Sequence, residues 1–398
     1  MQKKIIALAI ASAMTVPALA YAEVSISGQA NVSYDKYSDG VASPGTSSTV
    51  NKLVSNNSRV VLKGSEDLGD GMSAIYMLDS RFNLDDGNMG SSATTTAKDA
   101  VAPTAANAAS TATYTTKTTA TLFGGNAYVG LKSNTAGTLT AGRMDLPFKS
   151  STRGLDVFFD VSGDNRTLMG MGFLDLRMNN VIAYTSPDMS GMSVSVATDF
   201  GAETATATGA KKGSMLSMAG MYKMDAIYAT VAYQSLKAGD NKTGDLGADS
   251  LATLANGSTN AVAANLGGLS VAPEDKIVSF RLGGGYTMDA ITVNAIYENN
   301  KVTPVGGGGG KQTNLYLAGK FNVSSSDAVK LAYLSKGATK LEGGGASTTV
   351  KDKASQISLG YDHAMSKNTT VYASYTKQSW EDTLADPSTL SLGMKHSF

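Results

Sequence analysis

The chain has 398 residues, 42% hydrophobic and 17% charged, with 33 basic groups balanced by 33 acidic ones. Zero net charge excludes a broad basic surface for nucleic acid, and the absence of Cys excludes disulfides, thiolate catalysis and cysteine-ligated metals. Two His leave little material for a zinc site or a serine triad, and a mean hydropathy of −0.08 is that of an ordinary soluble protein.

Residues 1–22 stand apart from the rest of the chain. Lys3 and Lys4 form a positive start, Ile5 to Val16 a short apolar run, and Ala20-Tyr-Ala22 a small-x-small cleavage site before Glu23. The run is shorter than the roughly 20 apolar residues of a membrane-spanning helix and is broken by Pro17. It reads as a cleaved signal peptide, so the chain is exported and residues 23–398 form the mature domain.

From Glu23 onward the hydrophobic pattern has period 2, the mark of strands with unlike environments on their two faces. Val24, Ile26, Val32 and Tyr34 alternate with polar residues. So do Met72, Ala74, Tyr76, Leu78 and Phe82, then Ile227/Ala229/Val231/Tyr233, Ile291/Val293/Ala295/Tyr297 and finally Leu390/Leu392/Met394/His396/Phe398. The connections alternate in length. Short turns such as Glu66–Asp70, Lys223–Asp225 and Thr287–Asp289 are interleaved with long stretches near 35–57, 85–120, 144–176, 199–213, 235–274, 298–313, 335–354 and 377–388. Seven short turns and eight long loops imply sixteen strands.

A soluble sandwich would carry short connections at both ends. A transmembrane barrel uses strands of about 9–11 residues, short periplasmic turns and long outer loops. The lopsided loops favour the barrel. So do the aromatics near strand ends, among them Tyr34, Tyr184, Tyr222, Tyr286, Tyr297, Phe321, Tyr361 and Tyr375, placed like the two interfacial girdles. The fold expected is all-β: a sixteen-stranded antiparallel transmembrane barrel.

Specific blocks now carry a resemblance. The run from Ser58 to Leu84, with its Gly64-Ser-Glu-Asp-Leu-Gly-Asp-Gly71 turn, resembles the second and third strands of Gram-negative general-diffusion porins, nearest to the neisserial and β-proteobacterial group. Ala127-Tyr-Val-Gly-Leu131, Gly137-Thr-Leu-Thr-Ala-Gly-Arg143 and Tyr184-Thr-Ser-Pro187 resemble that group's next strands. The ending Ser391-Leu-Gly-Met-Lys-His-Ser-Phe398 is similar to its C-terminal strand, whose last Phe is read by the barrel-insertion machinery. The Ala/Thr-rich 85–120 stretch, the Ala- and Gly-rich 235–274 and 298–313 loops and the high Met content depart from the pattern. The resemblance implies a homotrimer in the outer membrane, bounded by lipid, passing ions and small hydrophilic solutes through a pore narrowed by an inward-folded third loop.

Here that loop is about 144–176. Unlike the other loops it carries apolar residues, Leu155, Val157, Phe158 and Phe159, as a segment packed on an inner wall would. Its acids Asp156, Asp160 and Asp164 are spaced four apart and share a face if the segment is helical. Parity supplies the opposing charges. With Val60 and Leu62 outward, Arg59 and Lys63 face the lumen; with Leu78 and Phe82 outward, Asp79 and Arg81 face it; with Ile182 and Tyr184 outward, so does Arg177. Arg143 has the wrong parity relative to Leu139, but a bulge at the strand end can re-aim it, and its family counterpart is a pore arginine. Loop acids facing wall arginines would set a transverse field across a water-filled constriction.

Other signals carry less. Gly306–Gly310 before Lys311 lacks the first Gly and the Ser/Thr of a phosphate loop, and Asp85-Asp-Gly-Asn88 lacks the spacing of a calcium loop. His363 falls at a short turn and His396 on the lipid-facing parity, neither beside a nucleophile, so no enzyme, metal or cofactor is expected. The expectation is a porin for passive diffusion; a solute-selective channel and a non-channel adhesive barrel are the alternatives.

Overall fold

A computed structural model describes residues 23–40, 49–89, 93–94, 117–118, 122–172, 174–199, 213–239, 274–343, 346–350, 352–381 and 386–398. The signal peptide expected over residues 1–22 and most of the 85–120, 199–213 and 235–274 loops lie outside these residues.

Sixteen strands form one closed antiparallel sheet. They are β1 (Glu23–Ser38), β2 (Thr49–Ser55 continued by Arg59–Gly69), β3 (Met72–Arg81), β4 (Ala127–Ser133), β5 (Gly137–Asp145), β6 (Arg177–Thr185), β7 (Met192–Asp199) and β8 (Ser214–Met224). The second half comprises β9 (Ile227–Lys237), β10 (Lys276–Met288), β11 (Ile291–Thr303), β12 (Gly310–Asn322), β13 (Asp327–Lys336), β14 (Ala354–Ala364), β15 (Thr369–Trp380) and β16 (Ser388–Ser397). Each strand pairs with its sequence neighbours, and β1 closes the ring against β16 from Gln29↔Ser397 to Ser38↔Ser388. Closure is a physical requirement, because hydrocarbon offers no partner for the free amides of a sheet edge.

The faces invert the soluble arrangement. Val129 is 66% exposed, and Val293, Leu317, Leu331 and Leu359 are exposed with it, whereas Glu298, Asn300 and Asn314 are fully buried on the inner side. Burying one such aliphatic side chain is worth about 1.5–3 kcal/mol, so an outward belt of them specifies a lipid surround rather than water. Short turns join the strands at one end. Met-Asp-Ala-Ile occurs twice, at 224–227 and 288–291, and in both Asp225 and Asp289 take positive φ, which a short polar residue tolerates.

At the other end the strands run longer than the sequence pattern implies. The 298–313 loop contracts to 304–309, because β11 and β12 stay paired up to Val302↔Gly310. Within 335–354 an accessory hairpin, Lys340–Gly343 with Ala346–Thr349, pairs in turn with Gly310 and Lys311.

The apolar core lies inside the barrel. Leu155, Phe158, Leu168 and Met169 of the third loop pack on Ile296, Tyr316, Ala332 and Leu334 of the inner wall. Leu146, Leu174 and Leu176, at the ends of that loop, pack on Met215, Leu236, Ile277 and Val302. These inward-facing apolar positions break the polar-in alternation, and the loop that covers them is the reason.

Candidate functional site: the lumenal constriction

The third loop leaves β5 at Asp145 and enters α1 (Pro147–Arg153). Pro147 at the first helical position has no amide hydrogen to lose there. Phe148 is fully buried, and its amide donates to Ser217 Oγ at 3.0 Å. The helix that would let the acids share a face does not form: between Gly154 and Asp164 the chain runs in turns, and Asp160 takes φ +59°. The acids therefore share no helical face.

Each of the three acids is buried and paired. Asp156 accepts from Tyr316 Oη at 2.7 Å and from the Phe158 and Asn165 amides at 2.9 Å each, so it points to the wall behind the loop. Burial, with the charge of Asp164 close by, pushes its carboxyl up to about 6. Asp164 is buried too, yet Arg153 at 2.8 Å and Arg166 at 2.9 Å hold it below the usual carboxylate range. Asp160 lies at the loop tip, where Arg59 reaches it at 3.2 Å and the Asn31 side chain donates to its carbonyl at 2.9 Å. The tip thus crosses the lumen to β1 and β2. Arg166 and the Phe159 ring stay partly uncovered, with Arg153 stacked on the latter at 4.2 Å.

The facing wall carries a second basic group. Arg81 binds Asp79 at 3.2 Å and donates to Asn57. Arg177 binds Asp145 at 3.0 Å and Asn126 at 2.9 Å. Arg143 does reach the interior: the β5–β6 register shifts between Gly142 and Met144, Gly142 takes φ +143°, and the guanidinium donates to Asn179 at 2.6 Å and to the Gly124 carbonyl. Arg177 and Arg81 lie within electrostatic reach of it. Gly125 is needed beside Asp79, since a Cβ there would stand 2.0 Å from the carboxyl carbon. Lys63 shares the lumenal parity of Arg59 but sits four residues further toward the short-turn end, exposed and away from the loop tip.

Sequence reasoning missed the groups that fasten the loop. Arg281 on β10 is buried, binds Glu298 on β11 and Asp175 at the loop's end at 2.6 Å each, and stacks on Phe148 at 4.3 Å. Glu298 also accepts from the Gly170 amide at 2.8 Å and from the side chains of Asn300 and Asn314. Arg281 and Glu298 hold inward parity beside Ser279 and Asn300, so the alternation that located Arg81 could have located them as well. Arg153 and Arg166 lie within the loop itself, but its spacing pattern singled out only the acids.

Comparisons with known proteins agree with this architecture. A family profile described as Gram-negative porin matches residues 7–336. An outer membrane porin of Bordetella pertussis is 26% identical over 366 residues, covering 87% of this chain and 83% of that protein. Among solved structures, an anion-selective porin from Comamonas acidovorans superposes with a TM-score of 0.67 at 19% identity, over 95% of this chain and 100% of its own. The trimer form of OmpT from Vibrio cholerae gives 0.60 at 12% identity, over 95% and 99%. The sixteen-stranded barrel, its loop-narrowed lumen and the matched profile place the chain in the Gram-negative porin family, as an outer-membrane channel for passive diffusion.

Proposed function

We propose that the chain forms a water-filled, anion-preferring pore whose narrowest section lies between the third loop and the arginines of β3, β5 and β6. The observation that carries this reading is the state of the charges. Asp156, Asp160 and Asp164 are buried and already matched by Arg153, Arg166 and Arg59, so the acids present little free field to the lumen. Among the described residues Arg81, Arg143 and Arg177 have Asp79 and Asp145 between them, and Asp145 is held by Lys149 as well. Cations outnumber carboxylates around the opening, and arginines stay charged at any physiological pH. The anion selectivity named for the Comamonas protein fits the same sign.

In this reading Arg81, Arg143 and Arg177 attract the passing ion. Arg59 with Asp160 fixes the loop tip, Asp156 and Asp164 set the loop's shape, Asp79 orients Arg81, and Lys63 belongs to the approach. The subunit assembles as a homotrimer, as its OmpT neighbour does. Residues 1–22 are removed on export, and Phe398 is the recognition signal for insertion. Bilayer recordings of purified protein test the whole: stepwise conductance in threes with an anion-directed reversal potential is expected, and a silent bilayer would point to the adhesive barrel instead.

A further inference from the structure

Between the loop tip and the short turns, the inner wall changes character. Lys63, Lys132, Lys223, Lys320, Lys330 and Lys395 all occupy lumenal register positions. Lys132 alternates with the outward-facing Val129 and Leu131; Lys320 continues the inward row of Asn314, Tyr316 and Ala318; Lys395 continues that of Ser391. Lys320 and Lys330 stand directly opposite one another in the β12–β13 register, a placement in which like charges destabilise a sheet. Lys330 is nearly buried, donates to Asp362 at 2.8 Å and lies 5.0 Å from the centre of the Phe158 ring of the third loop. Among the described residues, neither Lys320 nor Lys395 has a carboxylate within ion-pair distance.

A hollow of about 590 Å³ opens beside this group, bordered by Lys320, Asn322, Ser324, Ser326, Asp362 and Thr370, the last being the register partner of Lys395. Asp289 and Asp327 also border it, in the strand-end turns. Asp327 is already engaged by Ser324 at 2.5 Å, Tyr361 at 2.6 Å and His363 at 2.7 Å. Asp362 pairs with Lys330, and Lys320 is the one of the three lysines that borders the hollow itself.

We propose that this wall is a holding site for small polyvalent oxyanions of the phosphate class, between the constriction and the periplasmic mouth, with Lys320 and Lys330 at its centre and Lys395 as the third cation. A chloride ion relieves the repulsion at one ammonium at a time. A tetrahedral oxyanion offers several acceptor oxygens, can face both opposed lysines at once, and meets hydroxyl donors from Ser326 and Thr370. Lysine serves such ligands as a compact charge with three donors. The site rests on the chain being an open channel, and not on the sign of selectivity at the constriction.

The test is chloride conductance of the intact trimer in planar bilayers, titrated with inorganic phosphate in both compartments at fixed ionic strength. Phosphate should depress the chloride current, and the Lys320→Gln/Lys395→Gln variant should need about ten-fold more phosphate for the same effect. Lys320→Arg, which keeps the charge, should titrate like the parent, and heat-resistant trimers on gels establish that each variant is folded. Identical phosphate titrations for the parent and the double Gln variant would overturn the proposal, as would a parent current that phosphate leaves unchanged. A bilayer without conductance would instead strike at the channel reading beneath it.

Discussion

Arg281 Nε donates to Glu298 Oε2 at 2.6 Å across neighbouring strands of the inner wall, with both side chains closed off from solvent. That pair is the fastening of the third loop, since Asp175, Gly170, Thr152 and Phe148 all bind to it from the loop side. Removing one member leaves the other charge buried without its partner, at a cost of about 3–5 kcal/mol. Arg281→Met should therefore lower the thermal unfolding midpoint and make single-channel current noisy. Arg281→Met combined with Glu298→Gln should be less damaging than the sum of the two single changes. Circular dichroism melts of the three variants decide it; strict additivity would mean the residues do not act as a pair.

Asp156 gives the barrel a pH dependence with a definite sign. Its carboxyl is raised to about 6, so the folded protein holds that proton more tightly than the unfolded chain does. The stabilisation from this group is fully present below the ordinary carboxylate range and is lost as pH rises through about 6. In the same window acidification removes a negative charge from the loop, so anion preference should increase from pH 7 to pH 5. Asp156→Asn should flatten both trends, with reversal potentials and melting curves at the two pH values as the readouts. A parent protein that responds to pH no differently from Asp156→Asn would contradict this assignment.

Gly142 controls where Arg143 points. Its φ of +143° is foreign to residues with a side chain, and a Cβ would stand 2.4 Å from the Ala127 carbonyl. Holding such a conformation with a side chain costs about 1–3 kcal/mol. Gly142→Ala should straighten the bulge, turn Arg143 out of the lumen and weaken anion preference about as much as Arg143→Gln does. If Gly142→Ala keeps the parent's reversal potential, the bulge is not what aims Arg143.

The seam of the barrel supplies a different prediction. Phe398 and Gly28 exchange backbone hydrogen bonds at 2.8 and 3.2 Å, and a Cβ on Gly28 would stand 2.3 Å from the Arg59 carbonyl oxygen and 2.6 Å from the Phe398 ring. Gly28→Val should lift the ring and reduce heat-resistant trimer in outer-membrane fractions, as should deletion of Phe398. Normal trimer yield from both variants would remove Phe398 from the assembly signal.

Period-2 alternation made most of this fold legible. It carried the lumenal parity of Arg59, Asp79, Arg81 and Arg177 and the apolar oddity of the third loop, while the alternation of short and long connections carried the strand number. It was silent on what the loop does with its charges. Four-residue spacing puts Asp156, Asp160 and Asp164 on one face only if the segment is helical, and Gly154, Gly163 and the left-handed turn at Asp160 break any helix there. Asp156 and Asp164 turn away to Tyr316, Arg153 and Arg166, contacts that no periodicity encodes, whereas Asp160 does meet the wall arginine Arg59. Arg143 is the opposite case: its parity pointed outward, and the one-residue bulge at Gly142 brings it in.

An anion-preferring constriction made by wall arginines meets its most direct test in a reversal-potential measurement. The purified protein in a planar bilayer under a tenfold KCl gradient (roughly 59 mV of ideal selectivity for a monovalent ion) should reverse on the chloride side. The triple variant Arg81→Gln/Arg143→Gln/Arg177→Gln should move the potential toward the potassium side. A parent that reverses on the potassium side, or a triple variant whose potential does not move, would contradict the account.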